Sequence, residues 1–64
     1  MTATEKARAA LLARAYEHSW PEITVWDVTV DSEEGWRSAT KDADMMELQA
    51  WDDELTELLI GVKA

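Results

Sequence analysis

The pattern of apolar and polar positions begins with a segment typical of a helix. Thr2 is followed three residues later by Glu5, the spacing of a capping box, and good helix formers continue to about Ser19. The apolar face of this predicted helix, which includes Leu11, is narrow and rich in alanine. Pro21 disfavours helical geometry in the residue before it, so we expect the helix to end there.

The next segment, residues 23–30, reads ITVWDVTV and is rich in β-branched residues, which predicts a strand. Side chains alternate between the two faces of a strand, so one face carries Trp26 and Val30 and the other carries Ile23 and Val25. Two helices cover only one face of a small sheet well. We therefore expect Ile23 and Val25 to be exposed and to mark an interaction site.

Residues 31–40 allow two interpretations. The polar turn at 31–35 contains Gly35 and favours a hairpin whose second strand covers 36–40. The alternative is a short helix that is capped by Asp31 together with Glu34 and runs through Ala39. The pattern favours the hairpin and leaves the helix open.

The last segment predicts a long helix that is capped by Thr40 or Asp42, runs to about Ile60 and meets Gly61 just past its end. Its apolar face comprises Met45, Leu48, Trp51, Leu55, Leu58, Leu59 and Val62. Because this face is the widest apolar stripe in the chain, we expect it to form the main wall of the core.

Two acidic residues interrupt that apolar face. Asp44 lies in the first turn, where the helix dipole favours a carboxylate. Asp52 lies near the middle of the helix and has no such local explanation. We expect Asp52 to lie at the edge of the core beside a cation such as Arg14 or His18, or to face a partner.

Together these elements predict an α+β fold, a small two-layer helix-strand-strand-helix (αββα) domain with both helices packed on one face of a hairpin. Residues 1–64 form a single small domain, near the lower size limit for a core without disulfides or metal. Ten of the apolar residues are alanine, which leaves only 20 large ones. Such a thin core leads us to expect a homodimer.

The net charge of the chain excludes some classes of function. The chain has 14 acidic and 6 basic residues, a net charge of -8, and no cysteine. This composition argues against direct nucleic-acid or anionic-membrane binding, which requires Lys and Arg to neutralise phosphates. Because the sequence has no run of 18 apolar residues and no apolar segment typical of a signal peptide, we expect a cytoplasmic protein. Residues 1–20 carry three basic and two acidic side chains, a net of +1, whereas residues 21–64 carry three and twelve, a net of -9.

The acidic residues point to a binding surface on the outer side of the last helix, where no lysine or arginine lies among them. The candidate partner-binding residues are Trp36, Asp42, Glu47, Asp53, Glu54 and Glu57. We expect the carboxylates to dock on the basic surface of a partner protein, with Trp36 as the apolar anchor. A nucleic-acid-handling enzyme, whose phosphate sites the carboxylates imitate, is one such partner. The alternative is a homo-oligomeric structural or accessory subunit whose acidic face only provides solubility.

The sequence offers no catalytic signature. His18 is the only histidine, and neither Ser19 nor Ser32 lies in a nucleophile elbow. The acids at 31–34 before Gly35 lack the spacing of a calcium loop. A fold of this size also leaves little room for a ligand pocket. The sequence therefore predicts a protein that is not an enzyme and that holds no metal or cofactor.

Overall fold

The computed structural model describes residues 1–63, apart from the side chains of Val62 and Lys63. In chain order the elements are α1 (Ala3–Glu17), β1 (Ile23–Val25), β2 (Val28–Val30), α2 (Glu33–Thr40) and α3 (Met45–Lys63). The protein is a small α+β domain in which helices pack against a two-stranded antiparallel hairpin. This confirms the predicted fold class, although the number of helices and the position of the hairpin differ from the prediction.

The hairpin lies wholly within the segment predicted to be one strand, residues 23–30. Its register pairs Ile23 with Val30, Thr24 with Thr29 and Val25 with Val28. The loop consists of Trp26 and Asp27, with φ of 50° and 65°. Positive φ at both central residues defines a type I′ turn, whose twist matches that of the flanking strands. The prediction of a second strand over 36–40 was wrong, because this turn lacks the Asn-Gly signal that usually marks its type.

Residues 33–40 form α2, the interpretation that the sequence left open. Ser32 caps the helix, since its Oγ accepts a hydrogen bond of 3.1 Å from the backbone N–H three residues later. Trp36 lies on the inward side, and its carbonyl accepts a 2.8 Å hydrogen bond from the buried hydroxyl of Thr40. A good cap and the burial of a large aromatic ring outweigh the turn preference of the glycine.

Capping boxes begin both long helices. At α1 the backbone N–H of Glu5 donates to Thr2 Oγ1 at 3.1 Å, and Glu5 accepts in return from the Thr2 N–H at 3.4 Å, which confirms that prediction. At α3 the backbone N–H of Glu47 donates to Asp44 Oδ1 at 2.8 Å, and Glu47 accepts from the Asp44 N–H at 3.4 Å. Each box satisfies backbone donors that have no partner within the helix.

The bounds of α3 differ from the prediction at both ends. Thr40 closes α2, and Asp42 lies in the connection, so neither caps α3. At the other end the helix continues through Gly61 to Lys63. A glycine within a helix costs about 1 kcal/mol relative to alanine, which is too little to stop a helix held by its packed face. The predicted core position of Val62 lies outside the described side chains.

A Schellman motif ends α1 and turns the chain toward the hairpin. The N–H of Trp20 donates to the carbonyl of Ala15 at 2.8 Å, and the N–H of Ser19 donates to that of Tyr16 at 3.0 Å. Ser19 and Trp20 have φ of 60° and 54°, in the region where glycine is usual. The motif lays Trp20 back over the core before Pro21 leads into β1.

The core consists of apolar side chains from every element. Its buried members are Leu11, Ala15, Ile23, Val25, Val30, Trp36, Ala43, Leu48, Trp51 and Leu55. Ile23 and Val25 are buried, which contradicts the expectation that they form an exposed patch. The hairpin turn at Trp26 explains the error: it places Ile23 opposite Val30, so these two share a face that a continuous strand would have split.

Helices α1 and α3 lie side by side and run in the same direction. Ala7 shares a surface groove with Met45, and further along both helices Arg14 forms an ion pair with Asp52. The other Arg14 nitrogen, Nη2, donates to Thr56 Oγ1 at 3.1 Å. The ion pair confirms the expectation that Asp52 lies at the core edge beside Arg14.

Candidate protein-interaction surface

Three of the predicted acids share the outer side of α3. Asp53, Glu54 and Glu57 are all exposed, because the packing of Leu48, Trp51 and Leu55 against the core directs the opposite side of the helix outward. None of the three forms an ion pair with a side chain that the structure describes. Their spacing of three and four residues makes them like-charged neighbours, which raises the free energy of the helix by a few tenths of a kcal/mol per pair. We call these three residues the acidic face.

The other two predicted acids lie apart from the acidic face, at the N-terminal end of α3. Asp42 is exposed in the connection between α2 and α3. Glu47 is half-buried and takes part in the capping box with Asp44, so its carboxylate already stabilises the start of the helix. Glu47 lies ten residues before Glu57, about 15 Å along the helix axis. The structure therefore brings three of the five carboxylates together and gives one of the remaining two a structural role.

Trp36 cannot be the exposed anchor that the sequence predicted. Its side chain has 0% exposure, and its indole Nε1–H donates to the carbonyl of Pro21 at 3.1 Å. The ring packs against Trp51 and Trp20, with centroid distances of 5.6 and 6.4 Å. The prediction failed because it placed Trp36 beside a loop, whereas α2 turns it inward. Trp51 is buried, as expected.

Trp26 is the exposed tryptophan that the sequence analysis missed. We expected it on a buried strand face, but it occupies the first position of the hairpin turn and is 60% exposed. The nearby Val28 is 50% exposed. A left-handed backbone costs a residue with a Cβ about 1–2 kcal/mol. The signal for this turn was the repeated triplet on either side of Trp26 and Asp27, ITV before and VTV after.

Apolar residues border the acidic face. Leu58 lies one turn after Glu54 and is 37% exposed, whereas Ile60 lies three residues after Glu57 and is 62% exposed. Residues three and four apart are neighbours on a helix surface, so both apolar side chains adjoin the carboxylates. The acidic face is thus bordered on both sides by exposed apolar area.

The rest of the surface contains open grooves. One of about 550 Å³ runs along α1, where Tyr16 and Trp20 form part of its wall. The guanidinium carbon of Arg37 lies 5.9 Å from the centre of the Trp20 ring. Within residues 1–63 no group of three His, Cys, Asp or Glu side chains is arranged to hold a metal ion.

Fold and surface together define a small α+β domain that carries an exposed acidic helix face. None of the helices in the described part of the chain is long and apolar enough to cross a membrane. Comparison with family models, with curated proteins and with solved structures gave no match. The function must therefore be inferred from the surface itself.

Proposed function

We propose that this protein is a noncatalytic acidic binding protein that docks through the acidic face of α3 on a basic surface of a partner protein. The observation that supports this is the exposure of Asp53, Glu54 and Glu57, none of which forms an ion pair with a described side chain. A helix that served only its own stability would intersperse lysines among these acids. Complementary potentials accelerate association and disfavour wrong partners, so such a face serves recognition better than folding.

The bordering apolar residues give this surface its anchors in place of Trp36. Leu58 and Ile60 lie beside the carboxylates and lose exposed apolar area when a partner covers them. Asp42 is also exposed but lies apart from the acidic face, so it has no part in the first docking contact that we propose. An inhibitor of a nucleic-acid-handling enzyme fits this arrangement, because carboxylates on a rigid helix take the place of phosphates in a basic groove. The absence of cysteine fits a reducing compartment, and we include the cytoplasm in the proposal.

The test compares two charge reversals of equal size. Glu54→Lys combined with Glu57→Lys alters the acidic face, whereas Glu22→Lys combined with Glu34→Lys alters exposed acids outside α3. Each variant and the natural protein are used to capture partners from an extract of the native host, at low and at high salt, with quantification by mass spectrometry. We expect the first variant to lose a basic partner that the second retains, and the natural complex to weaken steeply with salt. Equal binding by both variants, or binding insensitive to salt, contradicts the proposal.

A different observation favours the alternative, a homo-oligomeric structural or accessory subunit. Apart from Met1, four large apolar side chains of the described residues are more than half exposed, in α1, the hairpin turn and α3: Tyr16, Trp26, Met46 and Ile60. If association depends on such residues, reversing Glu54 and Glu57 leaves it unchanged. Replacing Tyr16, Trp26 or Met46, which the first proposal does not use, by serine then weakens association, and this separates the two functions.

A further inference from the structure

The outer side of α1 is a helix face that no other element of the described chain covers. The helix buries Leu11 and Ala15 against the core. On its outer side four exposed residues follow one another at intervals of four, three and four positions: Lys6, Ala10, Ala13 and Glu17. This spacing keeps them in one row along the helix. We call these four residues the α1 row.

The two charged residues of the α1 row lie at the ends of the helix where the helix dipole disfavours their charges. The helix dipole favours acids near the N-terminus and cations near the C-terminus. Lys6 is the fourth residue of α1, and Glu17 is its last. Neither forms an ion pair with a described side chain. Arg14 is engaged with Asp52, and Arg37, which lines the same groove as Glu17, is engaged with Glu33. The monomer therefore gives no reason for this arrangement.

The α1 row is complementary to itself under two-fold symmetry. The midpoint between Lys6 and Glu17 coincides with the midpoint between Ala10 and Ala13. We propose that a second copy of this chain docks on this face with its α1 antiparallel. Lys6 of each copy then meets Glu17 of the other, and Ala10 of each copy meets Ala13 of the other.

The antiparallel arrangement also accounts for the charges that the monomer leaves unexplained. It brings each helix N-terminus beside the C-terminus of the other, so the dipoles attract, and it gives each misplaced charge an opposite partner. Alanine at the crossing point allows the helix axes to approach to about 8 Å. A parallel pair would instead place Lys6 against Lys6. The self-complementary charges select a second copy over an unrelated helix, and the isologous contact closes as a dimer.

The α1 row contains none of the residues on which either proposed function depends, so this dimer and those functions can be tested and can fail independently. Its test is the association state of the purified full chain, measured by sedimentation over a range of concentrations. The variants are Lys6→Glu, Glu17→Lys and the double variant with both changes. Each change moves a charge to the end of α1 that the helix dipole favours, so all three variants are expected to fold.

We expect the natural chain to dimerise at low salt. Each single variant should raise the dimer Kd by about tenfold, because both ion pairs of the interface become repulsions. The double variant restores opposite charges in exchanged positions and should return the Kd to within about threefold of the natural value. A mixture of the two single variants should form a heterodimer, since the copy with two acids then faces the copy with two lysines. The Glu34→Lys control, at an exposed acid outside both α1 and the acidic face, should leave the Kd unchanged.

Several results would overturn the proposal. One is a natural chain that stays monomeric at about 0.5 mM and low salt, far above the Kd of a specific dimer. Another is a dimer that both single variants retain at full strength, which would place the interface elsewhere. A third is failure of the double variant or of the mixture to restore association while circular dichroism shows folded protein.

Discussion

Two tryptophans ten residues apart occupy opposite environments in this protein. Trp36 is completely buried, with its ring against two other indoles and its Nε1–H bonded to a backbone carbonyl. Trp26 is 60% exposed at the tip of the hairpin, on a left-handed backbone. The difference follows from the position of one turn. Because the chain reverses at Trp26 and Asp27, the triplets on either side form the hairpin, and the residues that follow are free to form α2.

The comparison separates a residue that stabilises the fold from one that strains it. Burying a large aromatic side chain contributes several kcal/mol. A type I′ turn is favoured by asparagine and glycine, so tryptophan and aspartate at its centre raise the free energy of the native state. Substitutions at the two positions should therefore change stability in opposite directions.

The largest effect is expected for Trp36→Ala. Removing a fully buried indole should cost about 3–5 kcal/mol, which equals the whole stability that a core of this size supplies. We expect the variant to be unfolded at room temperature, by circular dichroism and by the absence of a cooperative urea transition. An unchanged urea midpoint would show that the ring is not part of the core.

A smaller loss is expected for Trp36→Phe. Phenylalanine keeps an aromatic ring in the core, but it leaves a cavity and removes the donor to the Pro21 carbonyl. The cost should be about 1–3 kcal/mol, seen as a lower urea midpoint with the same slope. Loss of the cooperative urea transition, as expected for the alanine variant, would mean that the hydrogen bond, rather than the ring, dominates.

Trp26→Asn should raise the stability, whereas both changes at Trp36 lower it. Asparagine tolerates positive φ better than tryptophan and fits the first position of a type I′ turn, so stability should rise by about 0.5–1 kcal/mol. Thermal unfolding followed by circular dichroism measures the gain. A lower melting temperature would indicate that the partly covered indole contributes more through contacts than its backbone costs.

The smallest effect on stability is expected for Trp26→Phe, which keeps an aromatic ring in the turn. Stability should change by less than about 0.5 kcal/mol. Acrylamide should quench the remaining fluorescence much less than that of the natural protein, because the most exposed indole is gone. Fluorescence that is equally accessible to the quencher before and after the change would contradict the exposure of Trp26.

Local signals in the sequence predicted those parts of the fold that depend on neighbouring residues. The Thr2 and Glu5 spacing predicted the start of α1, and the apolar arc of α3 predicted the burial of Trp51. The pairing of Asp52 with Arg14 could also be predicted, because a charge within an apolar arc requires a counter-ion. The hairpin was misplaced because its turn lacks the usual Asn-Gly pair, which left the repeated triplets around Trp26 and Asp27 as the signal.

The candidate surface, too, was predicted correctly only where local sequence patterns decide the position of a residue. The helical spacing of the apolar residues in α3 predicted that Asp53, Glu54 and Glu57 face outward, and all three are exposed in the structure. The capping role of Glu47 was missed because its partner, Asp44, was assigned only to the helix dipole. Trp36 was misplaced because its orientation depends on α2, and α2 depends on where the hairpin turns. Errors in long-range topology thus became errors in the predicted anchor.

The pairing of α1 with α3 has a consequence for how the chain reaches its native state. Arg14 bonds to residues 38 and 42 positions later in the chain. Since these contacts enclose the hairpin and α2, closing them requires most of the sequence to be ordered at once. We therefore expect α1 to remain only marginally helical until α3 arrives, because a helix of 15 residues is barely stable alone. Folding should be slower than in a bundle of sequential helices and should occur in a single cooperative step.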